Sequence, residues 1–278
     1  MLSSRIPDTS STGQRSSGKS RLLIAAVFVI ISLISYFSSS EYNPVTGEKQ
    51  HISISKDQEI ALGLQAVPEM VQQFGGLFPD QSLQDLVDKI GNEVVNKSAA
   101  KSTEWQFEFH LLADPQTVNA FALPGGQVFI TYALLSKLET NAQLAGVLGH
   151  EVGHVIARHS AQRMAKQNLT EGLINAVLVG SENYSAAQTA AVIGQMVNMN
   201  YGREDELESD DLGVRFMSEA GYDPRGMIRV MEILAESSGE QRQPEFFSTH
   251  PNPENRIQKI QLAIEKTFPN GVPEGLIK

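Results

Sequence analysis

A mainly α-helical α+β fold, behind one N-terminal transmembrane or signal helix, is what this 278-residue sequence predicts. Three observations carry the prediction. Leu22–Phe37, LLIAAVFVIISLISYF, is a stretch of sixteen residues without a charge. Most of the chain beyond it has apolar residues at helical spacing. Only two short runs, Trp105–Leu112 and Gln127–Thr131, read as strands, which is enough for one small sheet.

At the N-terminus, residues 1–21 are Ser-rich and carry Arg5, Arg15, Lys19 and Arg21 against the single acid Asp8. A spanning helix needs roughly 20 apolar residues, with about 17 as a lower bound, and a signal-peptide core has about 7–15. The uncharged stretch falls between these lengths. With Ser38–Ser40 at the interface it can span, and Ser38 and Ser40 also fit a small-x-small cleavage site. We expect an uncleaved anchor, with a cleaved signal as the alternative. A buried core helix fits less well, because the stretch is apolar all round and has a basic flank. That flank keeps the N-terminus in the cytosol and sends residues 41–278 across the membrane. An Arg- and Ser-rich, acid-poor start also suits a mitochondrial presequence. The expected division is residues 1–40 as tail and anchor or signal, and 41–278 as the working domain.

Helical spacing first appears over Ser55–Gln73, through Ile60, Leu64 and Val67, and then over Ser82–Lys97, through Leu83, Leu86, Val87, Ile90, Val94 and Val95. Pro124-Gly125-Gly126 supplies the turn before the second strand. Thr140 with Gln143 three residues later has the pattern of an N-cap, opening a helix that we expect to reach about Met164. Further helices are expected from Arg203, from Pro224 as a first-turn proline after Asp223, and from Pro253 to Lys266. Leu173–Met199 is apolar and rich in small residues. Its periodicity reads as a pair of core helices, and a mobile lid or a membrane-dipping loop is the other reading.

Composition narrows the function. Hydrophobic residues make up 41% and charged residues 19%, which excludes a disordered or fibrous chain. The net charge of −10 argues against a nucleic-acid partner, which needs a basic face. With no cysteine, thiol catalysis, iron–sulfur clusters and Cys-ligated zinc are excluded, so any metal must be held by His, Asp and Glu.

Such residues gather in Gly149-His150-Glu151-Val152-Gly153-His154. Four residues apart on a helix, His150 and His154 lie on one face and can share one Zn²⁺. Glu151, beside the first of them, is placed to act as general base toward a water that the metal activates. Leu144, Val147, Leu148, Val152 and Val155 give this helix a core face, and Gly149 and Gly153 allow another element to approach closely. A catalytic zinc site usually has three protein ligands. His159 lies about 140° further round the same helix and cannot meet that metal from it. The acidic run Glu204–Asp211 offers two helical pairs, Glu206 with Asp210 and Glu204 with Glu208. One member of a pair can ligate while the other holds the N–H of a ligating histidine. Spacing does not choose between the pairs.

With these motifs the sequence resembles the zinc metallopeptidase family of HtpX, BepA and the CAAX prenyl endopeptidases, metallopeptidase family 48 of the gluzincin type. The family follows His-Glu-x-x-His with Glu-x-x-x-Asp on a second helix. Here that pattern falls on Glu206 and Asp210, after Tyr201 and Arg203, with Gly202 in place of the customary serine. Asn43-Pro44-Val45-Thr46-Gly47, Asn119–Gly126, and Ser248-Thr249-His250-Pro251 with Arg256 are similar to further family motifs. The resemblance implies a zincin-like metalloprotease core with its small sheet beside the active-site helix, and one zinc ion held by His150, His154 and Glu206. It implies Asp210 as the partner of a ligating histidine. It also implies His250 near the metal, as a fourth ligand at rest or a donor to the developing oxyanion. Asn119, Ala120, Phe121 and Ala122, with Tyr201 and Arg203, are implied to meet substrate, the first four as a strand edge to which an extended peptide adds.

The expected protein is a zinc metalloendopeptidase with Glu151, His250 and Asp210 in catalytic roles. Its expected substrates are polypeptides, misfolded or misassembled envelope proteins by resemblance. The expected setting is the bacterial inner membrane, anchored through residues 22–37 with the catalytic domain in the periplasm. Release to the periplasm or the mitochondrial inner membrane is the alternative. A zinc-stabilised holdase that binds unfolded chains and rarely cuts is the rival from another class. An aminopeptidase would need a carboxylate for the substrate's free amine, and no segment identifies one.

Overall fold

The computed structural model describes residues 18–180, 202–237, 245–251 and 255–278. Helix α1 (Gly18–Ser38) contains the uncharged stretch. Among the described residues it alone is long and apolar enough to cross a membrane, over Lys19–Ser38. It leads into a hairpin the sequence does not announce, strands β1 (Ser40–Tyr42) and β2 (Lys49–His51), paired antiparallel around Asn43–Gly47. Helix α2 (Lys56–Gln73) starts where Ser55 and Gln58 close a reciprocal capping box. Helix α3 (Gln81–Asn96) starts at an Asp80 cap and buries Val87, Ile90, Val94 and Val95 against the sheet and the central helix.

The sheet has strands β3 (Glu108–Leu112), β4 (Ala120–Ala122) and β5 (Gln127–Thr131), in the order β3-β5-β4. The first strand begins three residues later than expected. β5 is buried throughout, parallel to β3 and antiparallel to β4. β4 is thus an edge strand among the described residues, and it packs beside the central helix.

After the single turn α4 (Tyr132–Leu135), the central helix α5 (Asn141–Ile156) has every residue but the first buried. Thr140 caps it as expected, its hydroxyl accepting from the Gln143 N–H, while Gln143 Oε1 accepts from the backbone N–H of Glu139. α5 stops eight residues short of the expected Met164. Asn43 Nδ2 donates to the Ile156 carbonyl at 2.7 Å and Gln50 Nε2 to the Ala157 carbonyl at 2.8 Å. Arg158 takes a left-handed backbone (φ 55°), with its side chain on Glu59 and Glu41. The hairpin after α1 therefore ends the helix, and a new one, α6 (His159–Gly180), departs from the corner.

Helices α7 (Arg203–Glu219), α8 (Arg225–Glu236), α9 (Glu245–Thr249) and α10 (Arg256–Thr267) complete the described fold. Pro224 sits at the cap of α8 rather than in its first turn. α10 begins at Arg256, and the first residues of the expected Pro253–Lys266 helix lie outside the described residues. So does the Leu173–Met199 stretch beyond Gly180. Its first residues continue α6 along α1, with only Ala176 buried among those whose burial is described.

Candidate metal centre

The site is built where α5 and α7 touch. A Cβ on Gly149 would come within 3.2 Å of the Gly213 carbonyl oxygen, and one on Gly153 within 3.0 Å of that of Ser209. Hydrogen in place of these side chains lets the two backbones approach, so short carboxylate side chains on α7 reach the imidazoles of α5. His250 comes from the end of α9, where its ring stacks on Phe246 with centroids 4.5 Å apart. The Phe246 N–H donates to the Val118 carbonyl, which ties this turn to the lead-in of β4.

His150, His154, Glu206 and His250 converge, and all four are buried. His150 Nε2 lies 3.1 Å from His154 Nε2, 3.3 Å from His250 Nδ1 and 3.5 Å from Glu206 Oε2. Glu206 Oε1 lies 3.4 Å from His154 Nε2 and 3.1 Å from His250 Nδ1. Ligands about 2.0–2.1 Å from a tetrahedral zinc ion stand about 3.3 Å from one another. The side chains are therefore spaced as the corners of a zinc site, in a protein whose donor chemistry is His₃Glu. The charge count agrees. Glu151, Glu206 and Asp210 are buried carboxylates facing one buried guanidinium, Arg256, and a divalent cation supplies the missing positive charge.

Around these four, the neighbours fix ring orientation. His150 Nδ1 is 2.9 Å from Asp210 Oδ1. Arg256 holds Asp210 by two bonds, Nε to Oδ2 at 2.7 Å and Nη2 to Oδ1 at 2.9 Å, and its Nη2 is 3.3 Å from Glu206 Oε2. Without the metal, burial pulls the His150 pKa down, but Asp210 and Glu206 outweigh it and push it up to about 9. Burial pushes Glu206 up, and the facing His250, His150 and His154 rings outweigh that and hold it well below the usual carboxylate range. Asp210 is likewise lowered, by Arg256 and His150 against its burial. His154, by contrast, is pushed well below its ordinary value by burial.

His154 has a partner that helical spacing conceals. Because the chain turns at Arg158, His159 swings back and places its Nδ1 2.9 Å from His154 Nδ1. Its Nε2 meets Glu208 Oε2 at 3.0 Å. With the His154 Nε2 lone pair turned to the centre, its Nδ1–H donates to His159, and His159 Nε2–H donates to Glu208. His159 lies outside the cluster of four and stands directly behind one of its members. Nothing in a pattern of spacings reveals this, since the left-handed Arg158 is set by contacts with residues 41 and 59.

Glu151 is fully buried beside the tetrad. Neither carboxylate oxygen has a hydrogen-bond donor among the described residues, and Oε1 is 3.5 Å from His250 Nε2. Burial raises its pKa, opposed by the His250 and His150 rings. Next to His250 opens a cavity of about 300 Å³ lined by Phe74, Asn119, Phe121, Ala122 and Arg163. The buried Asn119 has its Oδ1 without a hydrogen-bond partner among the described residues. Ala120 and Ala122 pair with β5 on one side. Arg203 is exposed in the first turn of α7, one turn before Glu206. Tyr201 lies outside the described residues.

Comparison with known proteins agrees with this geometry. Residues 81–264 match the profile of Peptidase family M48. The mitochondrial metalloendopeptidase OMA1 of Schizosaccharomyces pombe is 30% identical over 237 residues, 81% of this chain and 67% of that protein. The OMA1 of Saccharomyces cerevisiae is 28% identical over 279 residues, 91% of this chain and 79% of that protein. The beta-barrel assembly-enhancing protease of Escherichia coli strain K12 is 29% identical over 249 residues, 84% of this chain and 50% of that protein, so the chain spans about half of that relative. The chain belongs to peptidase family M48, the zinc metallopeptidases, and its centre of three histidines and a glutamate has the composition and spacing to hold the zinc.

Proposed function

We propose that the protein is a membrane-anchored endopeptidase that cuts misfolded or misassembled polypeptides at the face of a membrane. The observation that carries the peptidase reading is the buried Glu151, its oxygens without hydrogen-bond donors among the described residues, against a tetrad spaced for zinc. When bound, zinc supplies Lewis-acid activation of the attacking water and the scissile carbonyl.

His150, His154 and Glu206 hold the ion. Asp210 keeps His150 in one orientation and is itself kept ionised by Arg256. Glu151, made more basic by burial, takes a proton from the attacking water on a carboxylate oxygen and returns it to the leaving nitrogen. His250, whose Nδ1 is 3.1 Å from Glu206 Oε1, would either help hold the ion at rest or donate to the developing oxyanion. An extended substrate lies along β4, an edge strand among the described residues, through backbone hydrogen bonds with little sequence preference. Asn119 Oδ1 offers an acceptor to a substrate N–H, and Arg203 stands at the rim.

The setting we favour is a bacterial inner membrane, with α1 as anchor and the catalytic domain in the periplasm. The basic residues before α1 and the likeness to beta-barrel assembly-enhancing proteases support it. The likeness to mitochondrial OMA1 supports the mitochondrial inner membrane as the alternative. Full-length protein incubated with casein tests the peptidase reading against the holdase. Internal cuts that stop with chelator and return with zinc are expected. Zinc-dependent retention of unfolded casein without any cut would favour the holdase instead.

A further inference from the structure

α1 and α6 lie against one another along much of their length. Two contacts fix an antiparallel register. A Cβ on Gly172 would run into the Ser32 side chain, and Arg21 Nε donates to the Val179 carbonyl at 3.2 Å. Residues 172–180 of α6 thus lie at the depth of Arg21–Ser32. α1 cannot be surrounded by lipid over that length while α6 flanks it, unless that part of α6 is in the lipid too.

The composition of α6 changes at the same level. His159, Arg163, Lys166 and Glu171 carry all its titratable side chains, whereas Gly172–Gly180, GLINAVLVG, carries none and has Asn175 as its one amide. The Glu171 carboxylate accepts from Gln167 Nε2, one turn back toward the domain, at 2.9 Å. A carboxylate reaching for the water side of an interface does the same. The top of the apolar zone is marked on α1 by Tyr36 and Phe37 around His51, with Tyr36 stacked on the imidazole at 4.3 Å. Aromatic rings of this kind populate membrane–water interfaces. Near His51, α6 presents Asn168, whose Nδ2 donates to Ser53 Oγ. Leu23, Ile31, Ile34 and Phe37 of α1 and Val177 of α6 are exposed and need an apolar cover.

We propose that residues 172–180 of α6 are embedded in the lipid bilayer beside α1, so that the helix beginning at His159 holds the metal centre at a fixed height above the membrane. From Asn168 back to His159 is about 14 Å at ~1.5 Å per residue. This consequence rests on the peptidase reading: the substrates it favours are membrane-anchored polypeptides whose scissile bond lies beyond about four extended residues from the end of their span, at ~3.3 Å per residue.

The absence of cysteine makes the test clean. Gln167→Cys and Val177→Cys are made in the full chain, labelled with an environment-sensitive fluorophore, and reconstituted in phosphatidylcholine–phosphatidylglycerol vesicles. The label at 177 is expected to be quenched several-fold more strongly by acyl-chain doxyl lipid than the label at 167, with the reverse order for aqueous iodide. Equal iodide quenching at both sites with no acyl-chain quenching would overturn the insertion. In the same vesicles, anchored substrates with spacers of about two and about eight residues test the height. Cleavage of the longer only is expected, and equal cleavage of both would overturn the height. Failure to cut soluble casein would count against the peptidase reading alone, because the quenching requires no turnover.

Discussion

Arg256 is the side chain on which the electrostatics of the site turn, and replacing it with methionine tests that directly. Its guanidinium is 1% exposed, bidentate to Asp210 and 3.3 Å from Glu206 Oε2. Met fills similar space and leaves two buried carboxylates without their cation. Removing one partner of a buried ion pair costs about 3–5 kcal/mol. Proton uptake by one carboxylate limits the loss, so we take about 4 kcal/mol for the zinc-free protein. At roughly 2–4 °C per kcal/mol for a chain of this size, Tm falls by about 8–16 °C. The assay is thermal unfolding after chelation, with Arg229→Met as control. Arg229 pairs with Glu232 and Glu236 in the open, at 36% exposure, where such pairs contribute ~0–1 kcal/mol. If Arg256→Met melts no earlier than Arg229→Met, the guanidinium does not carry the charge balance assigned to it.

The geometry dictates two further outcomes. His159→Leu removes the acceptor behind His154 and should weaken zinc binding about 10–100-fold, while His159→Asn, whose amide oxygen can stand where Nδ1 stood, should recover most of it. Competition with a chromophoric chelator measures both, and equal affinities in all three proteins would remove His159 from any orienting role. The zinc-free protein should also lose stability on the alkaline side. His150, raised in the folded state from 6.5 to about 9, contributes stability that is complete below its ordinary value and disappears as pH climbs through about 9. The loss is about 3 kcal/mol by linkage. Urea midpoints between pH 6.5 and 9 should fall in the wild type and stay flatter in His150→Gln; a wild-type midpoint that rises over this range has the wrong sign for a histidine held charged by Asp210 and Glu206.

Much of this architecture is legible in the sequence. Helical periodicity locates α2, α3 and α5, because such spacing is a local property; it marks the buried face in α3, whereas α2 buries only Glu59 and Gly63 and leaves Leu64 exposed. The four-residue separation of His150 and His154 is equally local, and so is that of Glu206 and Asp210. What spacing leaves open is which acidic pair faces the histidines. α7 turns Glu206 and Asp210 inward because Gly213 and Ser209 lie against α5 on that same side, leaving Glu208 half-buried against His159. Spacing misplaces the end of α5 for a non-local reason. Nothing within residues 156–164 stops a helix; Asn43 and Gln50, over a hundred residues earlier, take its last carbonyls. The β1–β2 hairpin escapes a sequence reading because three-residue strands carry too little alternation to register.

The most direct test of the central claim is zinc content measured beside casein cleavage, for the full-length wild type, His150→Ala and Glu151→Gln. One zinc per chain is expected in the wild type and in Glu151→Gln, and little in His150→Ala. Cleavage is expected from the wild type alone, with Glu151→Gln slower by at least about 10²-fold, the contribution of a positioned general base. A Glu151→Gln protein that cuts at the wild-type rate, or a wild type that binds no zinc, would contradict the claim.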